Sequence, residues 1–314
     1  MNKSLISIAF YNVENLFDSE DSPLKLDKEF TPNGKKKWGA YRYGLKINKL
    51  GNVISRIGEN SCSIPPVIIG LAEIENSKVL EDLIHCDSME HVSYDYVHFD
   101  SPDERGIDTA LLFNKELFEL KESRAIPIII YDSKKNRDLT RDILYVKGNI
   151  NNETFHIYVN HWPSKRSGTD ETRLKRIQIA EILHKEIESL KEENPKIIIM
   201  GDFNDNPNDE SIQKHLVNET FKNPSAELYN SGQGTSKFYG VWMLFDQIII
   251  SKNLFKKNSN QYNFKSTHIF NPEFLKNPRG KYKSEPFRTY TGKYYQGGYS
   301  DHFPIYILLE KENL

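Results

Sequence analysis

The stretch Lys196-Ile-Ile-Ile-Met-Gly-Asp-Phe-Asn-Asp-Asn-Pro207 joins an apolar run to an abrupt cluster of Asp and Asn. A short apolar run bounded by turn formers reads as a strand buried on both faces, so Gly201-Asp202 marks where that strand leaves the core. The polar residues sit at its exit. Asp and Asn also make side-chain turns after strands, so this stretch taken alone fits a turn as well as a site. The rest of the chain decides between the two.

Outward from this stretch, apolar runs alternate with amphipathic segments, with no low-complexity linker and no repeat. Strands are predicted at residues 5–12, 67–73, 94–99, 109–113, 125–131, 143–150, 155–161, 196–202, 246–251 and 303–309. Leu45, Leu50, Val53, Ile54 and Ile57 repeat at helical spacing before Gly58. Leu174, Ile177, Ala180, Leu183, Ile187 and Leu190 do so over a longer stretch that stops at Asn194-Pro195. Some neighbouring strands are hairpin-like and others are joined through helices, which predicts mixed sheets covered by helices. Residues 18–42 and 271–299 read as long loops, a length more typical of functional segments than of inert connections. The whole, residues 1–314, is expected to be one domain.

Seventeen Tyr and 17 Phe supply ample core material, and 42 Lys and Arg against 44 Asp and Glu leave a net charge of −2. No global basic field draws this chain to nucleic acid, so any such attraction must be local. Cys62 and Cys86 lack the spacing of a zinc site and are expected to be reduced bystanders. Asn12, Glu14 and Asn15 interrupt the first apolar run before a signal core or membrane span is complete, so it reads as a first strand. A cytoplasmic monomer without stable membrane association is the expectation.

Several predicted strands end or begin in a residue that can bind a cation or move a proton. The first closes as Phe10-Tyr11-Asn12, the second as Gly70-Leu71-Ala72-Glu73, the seventh as Val159-Asn160-His161 and the eighth as Gly201-Asp202-Phe203-Asn204. Asp246 opens Asp246-Gln-Ile-Ile-Ile-Ser251, and Ser300-Asp301-His302 precedes Phe303-Pro304. Taken singly, Asn12 fits a turn, His161 a structural histidine and Asp301-His302 a cap. Glu73, directly after an apolar run, needs a partner or a metal. If the strands share one sheet edge, these side chains converge on one cleft. Hard oxygen ligands, a carboxylate to activate water and imidazoles to hold developing charge suit phosphoryl chemistry. No GxSxG elbow, Walker-type loop or HExxH pair is present.

In this order and combination, the motifs Phe-Tyr-Asn12-Val-Glu-Asn, Gly-Leu-Ala-Glu73-Ile-Glu, Val-Asn-His161-Trp-Pro-Ser-Lys, Gly-Asp202-Phe-Asn204, Phe-Asp246-Gln-Ile-Ile-Ile-Ser and Ser-Asp301-His302-Phe-Pro resemble the endonuclease/exonuclease/phosphatase superfamily. The resemblance implies a DNase-like, four-layer α/β sandwich: two mixed β-sheets packed face to face with helices outside. It implies Mg²⁺ or Mn²⁺ held by Glu73, with Asn12 beside it and Asp301 near or on the metal. Asp202 would orient or deprotonate the attacking water, and Asn204 would help hold nucleophile and phosphate. His302, paired with Asp246, and His161 would stabilise the transition state or assist the leaving group. Two departures stand out. Asp108 is either a partner for His161 or part of an ordinary turn, and Gln247 follows Asp246 where many relatives carry an aromatic residue.

Substrate contacts are expected from Arg105, Ser164, Lys165, Arg173, Arg288 and Tyr290, with Arg173 and its neighbour Arg176 open to reading as the solvated side of the long helix. Residues 276–299 carry six basic side chains against the single acid Glu285, interleaved with Tyr and Phe. Basic residues neutralise phosphates and aromatic rings stack on bases, although long Tyr-rich loops also use their rings as packing. The leading expectation is a phosphodiesterase acting on nucleic acid. Its rivals are a phosphatase or phosphodiesterase on a small or lipid-linked phosphate, and a catalytically silent binding module.

Overall fold

The structure, a computed structural model, describes residues 3–22, 25–131, 137–165, 169–191 and 193–312. Pro23 and Leu24 of the expected 18–42 loop lie outside the described residues. The strands of the two large sheets are β1 (Lys3–Leu16), β2 (Ile68–Ile74), β3 (Tyr94–His98), β4 (Asp108–Asn114), β5 (Phe118–Ile126) and β6 (Ile143–Ile150). They continue as β7 (Glu153–His161), β8 (Lys196–Asp202), β9 (Phe221–Lys222), β10 (Asp246–Ser251), β11 (Asn263–Ile269) and β12 (Ile305–Glu312). One six-stranded sheet runs β11-β12-β1-β2-β4-β3 and the other β9-β10-β8-β7-β6-β5. Both are mixed: β1 pairs parallel with β2 and antiparallel with β12, while β8 pairs parallel with β7 and antiparallel with β10.

The period-2 alternation of a strand splits the apolar run of β8 between two cores. Ile198 and Met200 pack between the sheets with Ile8, Phe10, Val159, Ile248 and Ile307. Ile197 and Ile199 face the other way, onto Ile179, Leu183 and Ile187 of α3 (Thr169–Glu188). The first sheet is covered on its outer face in the same way. Ala9, Tyr11, Ile69 and Leu71 meet Leu50, Val53 and Ile54 of α1 (Ala40–Ile54) and Leu80 and Leu83 of α2 (Ser77–Ile84). Helix, sheet, sheet, helix is the expected four-layer α/β sandwich. No described helix is long and apolar enough to cross a membrane.

Several boundaries differ from the sequence expectation. β1 continues past Asn12 to Leu16 through a register shift, because Glu14 and Asn15 take left-handed backbone at φ 54° and 49°. The strand expected at 125–131 is instead β5, an edge strand over Phe118–Ile126 whose charged middle faces solvent and hides the apolar alternation. β11, also an edge strand, was not expected for the same reason. α1 begins at Ala40, inside the predicted loop. α2 was not expected either, although Asn76 caps it by accepting the Val79 N–H at 3.1 Å. Cys62 and Cys86 are buried and unbridged.

Candidate active site

Strand register builds the first part of the site. Asp202 at the end of β8 stands directly opposite His161 of β7 on one side and Asp246 of β10 on the other. A glycine before Asp202 permits this close approach, since a Cβ on Gly201 would lie 2.3 Å from the Asn160 carbonyl oxygen. From the facing sheet, Asn12 donates its side-chain amide to Asp202 Oδ2 at 3.0 Å. The loop before β12 adds His302, whose Nδ1 lies 2.6 Å from Asp246 Oδ2 and whose Nε2 lies 4.0 Å from Asp202 Oδ2. Ser300 fixes that loop by donating to the Asn12 carbonyl at 2.6 Å and accepting the His302 N–H at 3.1 Å. Asn204 sits at φ 50°, donates its backbone N–H to Asp202 Oδ1 at 2.9 Å and its side-chain amide to the Trp162 carbonyl at 2.9 Å.

The electrostatics separate the groups. Burial, reinforced by Asp246, raises the Asp202 carboxyl to about 6 against the opposing pull of His302 and the Asn204 N–H. Burial opposes charge on His302, but Asp246, Asp202 and Asp301 together hold its pKa well above the ordinary histidine value. His161 goes the other way: burial, with Arg141, Arg105 and His302 adding repulsion, drives its pKa well below that value. The two imidazoles are therefore pushed in opposite directions, His302 toward its charged form and His161 toward its neutral one. His161 Nε2 lies 3.9 Å from Asp202 Oδ2, and its Nδ1 is buried with no hydrogen-bond partner among the described residues.

Glu73 sits within β2, at the register shift between Ala72 and Ile74, in left-handed backbone at φ 67°, a conformation uncommon for a residue other than glycine. Its Oε2 accepts the Asn15 N–H at 2.7 Å, while Oε1 faces the Arg105 guanidinium at 3.9 Å. Asp301 lies 3.6 Å from Arg288 and 4.0 Å from His302. Burial opposes its ionisation, but His302, Arg288 and Lys46 win and lower its pKa. Asn12, Glu73 and Asp301 offer oxygen donors alone, which suits a hard divalent cation. In another group, Asp202, Asp246 and His302, one potential ligand atom from each lies within 4.8 Å of the others, but there the His302 ring is already engaged by Asp246.

The expected substrate contacts divide. Arg105, Arg288 and Tyr290 line a cavity of about 330 Å³ together with Glu14, Asn15, Trp38 and Asp301. Tyr290 is largely packing: it is buried against Trp38 and Phe30, and its hydroxyl donates to the Lys36 carbonyl at 2.8 Å. Lys165 is held by Asp205 and Asp209, each at 2.9 Å, and Arg173 by Glu210. Ser164 is half-buried. Arg176 is neither a phosphate contact nor a solvated face: it is buried, donating to Asp205 Oδ2 at 2.7 Å and to the Pro163 carbonyl at 3.1 Å. Asp108 does not reach His161. It sits 3.4 Å from His98 Nε2 and accepts the Ser101 N–H at 3.0 Å. Gln247 is buried and fully engaged, donating to the carbonyls of Asp205 and Leu244 and accepting from Asn223.

Four supporting residues were not singled out from sequence. Glu14 accepts the backbone N–H groups of Thr289 at 2.6 Å and Tyr290 at 3.4 Å, tying the 276–299 loop to β1. Lys46 of α1 donates to Thr289 Oγ1 at 2.6 Å and to the Tyr299 carbonyl. Arg141 holds the end of β7 through the carbonyls of His161 and Trp162 while paired with Asp103 at 2.8 Å. Asn15 positions both Glu73 and Arg105. Glu14 and Asn15 lie inside the Asn12-Val-Glu-Asn motif, which was a signal; isolated Lys46 and Arg141 offered none.

A family model described as "Endonuclease/Exonuclease/phosphatase family" matches residues 7–311. A search of curated proteins gives no significant match. Among solved structures, TDP2 from D. rerio complexed with single-strand DNA product is 16% identical, with TM-score 0.58 over 98% of this chain and 99% of that one. TDP2 from C. elegans is 14% identical, with TM-score 0.60 over 97% of this chain and 75% of that one. A mannosyl-6-phosphatase of Bacteroides thetaiotaomicron is 14% identical, with TM-score 0.57 over 97% of this chain and 99% of that one. At such identities the structural likeness speaks for the fold, while the family model spans nearly every strand that feeds the cleft. The chain belongs to the endonuclease/exonuclease/phosphatase family.

Proposed function

We propose that this chain is a single-domain, divalent-metal-dependent phosphodiesterase that hydrolyses phosphate esters in nucleic acid. The observation that carries the reading is the row His161, Asp202, Asp246, set abreast by strand register and completed by His302 from the opposite end of the chain. Asn12, Glu73 and Asp301 would hold Mg²⁺ or Mn²⁺, which supplies Lewis-acid stabilisation of the phosphate's charge. Asp202, raised to about 6 and oriented by Asn12 and the Asn204 N–H, is suited to take the proton of an attacking water near neutral pH. His302, kept charged by Asp246, stabilises the oxygens that become more negative as the barrier is approached. Neutral His161 contributes a hydrogen bond without competing for the charge.

Support for a polynucleotide comes from a second groove, of about 550 Å³, lined by Phe238, Tyr239, Lys281, Tyr282 and Arg288. Phe238 and Tyr239 are 60% and 92% exposed at a hairpin tip, as stacking surfaces for unpaired bases would be. Arg288 lines both this groove and the cavity beside Asp301, so one basic side chain would serve a strand lying across the two. The similar fold of a TDP2 bound to single-strand DNA is consistent with this reading. A second reading rests on the roughly 330 Å³ cavity itself, a size suited to a small sugar phosphate, and on the likeness to a mannosyl-6-phosphatase.

Plasmid nicking and single-strand cleavage, with and without EDTA, beside a panel of sugar phosphates, separate the readings. Cleavage of the polynucleotide that is abolished by EDTA and restored by Mg²⁺ or Mn²⁺ is expected. Turnover confined to the sugar phosphates would replace the first reading with the second. Nicking indifferent to EDTA would remove the metal, and silence throughout would leave a binding module.

A further inference from the structure

We propose that His98, Asp100 and Asp108 form a second cation site, for a transition-metal ion of Zn²⁺ type, that fastens the 99–107 loop. None of these residues takes part in the proposed reaction. β3 ends at His98 and β4 begins at Asp108, and the two strands pair antiparallel with His98 opposite Ala110. The loop between them therefore starts and finishes at the same edge, and Asp100 lies near its start. One potential ligand atom from each of the three residues falls within 4.8 Å of the others.

Acidic groups close together are common without an ion, so the weight falls on His98. Its side chain is 5% exposed, and its Nε2 is buried with no hydrogen-bond partner among the described residues. Such a nitrogen is unfavourable unless something occupies its lone pair or accepts its proton. Asp108 Oδ2 stands 3.4 Å away, within ion-pair reach but farther than an ordinary N–H···O hydrogen bond. Two ligands bound at about 2.0–2.1 Å to one tetrahedral ion are separated by about 3.4 Å, so the spacing is that of two donors facing a common centre. The other Asp108 oxygen accepts from the Ser101 N–H at 3.0 Å and from its hydroxyl, which orients the carboxylate and leaves Oδ2 for the ion. Exposed Asp100 supplies a third donor on the solvent side, where ion and water can enter.

One imidazole with two carboxylates suits Zn²⁺, Co²⁺ or a similar ion better than Mg²⁺, which distinguishes this site from the all-oxygen set at Glu73 and Asp301. Its consequence is positional. The loop carries Arg105, whose guanidinium reaches Asn15 and Glu73, so an ion tying the loop's base would steady that arginine at the mouth of the cleft.

The test uses chelator-treated full-length protein and Zn²⁺ alone, counted by equilibrium dialysis, with Co²⁺ as a spectroscopic probe of four-coordinate nitrogen and oxygen ligation. Glu73→Gln disables the catalytic-site ligand set and should keep the second ion. His98→Ala should lose it, and Asp100→Asn, at an exposed position where folding is not at risk, should weaken it at least about tenfold. The tetrahedral Co²⁺ band should likewise survive Glu73→Gln and vanish with His98→Ala. Equal Zn²⁺ stoichiometry and affinity in wild type and Asp100→Asn would overturn the proposal. So would a wild-type protein whose every bound Zn²⁺ disappears with Glu73→Gln, leaving His98 and Asp108 as a plain ion pair.

Discussion

The ends of β7, β8 and β10 and the 276–299 loop both border the cleft, yet they are specified in different ways. At the strand ends, register does the positioning: once Ile198 pairs with Ile157 and Ile250, Asp202 has no choice but to lie between His161 and Asp246. A slip of one residue would turn every side chain of β8 to the wrong core, so the site inherits the full specificity of the packing. The loop has no such ladder. It is held at a few points, by Glu14 at the backbone of Thr289 and Tyr290, by Lys46 at Thr289 and Tyr299, and by Lys49 at Gly297. On the function proposed above, chemistry would rest on the strand ends and substrate contact on the loop.

On that division, the largest effect belongs to the strand ends. Asp202→Asn should lower kcat by about 10³-fold with an unchanged circular dichroism spectrum. A mutant turning over at the wild-type rate would break the comparison at once. Next comes the brace beneath the strand end. Arg176→Ala leaves Asp205 buried without its main partner and should cost about 3 kcal/mol in urea unfolding, because an unpaired buried charge is costly. If Arg176 were only a phosphate contact, stability would hold and KM would rise instead.

The pH dependence sharpens the contrast between the groups. kcat/KM should climb as Asp202 loses its proton through about pH 6, and fall again well above the ordinary histidine pKa as His302 loses its own. Stability of the metal-free protein should run opposite to the acid limb. The Asp202 pKa is raised on folding, so the native state holds this proton more tightly. Its contribution is present at low pH and is lost as pH rises through about 6. Asp202→Asn should flatten that part of the stability curve, and an unaltered curve would mean another group sets it.

The smallest effect is expected from the loop. Arg288→Ala should raise KM for a polynucleotide by about tenfold or less, leave kcat nearly unchanged, and reduce the salt slope of binding by about one. A loss confined to kcat would place Arg288 with the reacting groups instead.

Legibility in the sequence follows the same division. The strands buried on both faces were readable because β-branched runs such as Ile197-Ile-Ile199 and Ile248-Ile-Ile250 have no competing explanation, and their exits carried the candidate residues with them. Edge strands β5 and β11 were not, because solvent on one side admits Glu, Lys and Ser where alternation is sought. The charge states were also hidden. His161 and His302 look alike as strand-end histidines, and only the fold shows that burial, with Arg141 nearby, lowers the pKa of one while Asp246, Asp202 and Asp301 raise that of the other. Lys165 and Arg173 looked available for phosphate until Asp205, Asp209 and Glu210, distant in sequence, were found against them. Pairings of that kind depend on tertiary contact and leave no local pattern.

β1 lies between β2 and β12, so strands about 300 residues apart in sequence, as Lys3 and Glu312 are, lie side by side. A nascent chain still lacking residues 300–312 would already contain Asn12, Glu73, His161 and Asp202, but not the histidine that joins Asp246 or the strand that seats β1. The cleft therefore cannot close before residues 300–312 join the rest, because Ser300 ties Asn12 to the loop that sets His302 against Asp246.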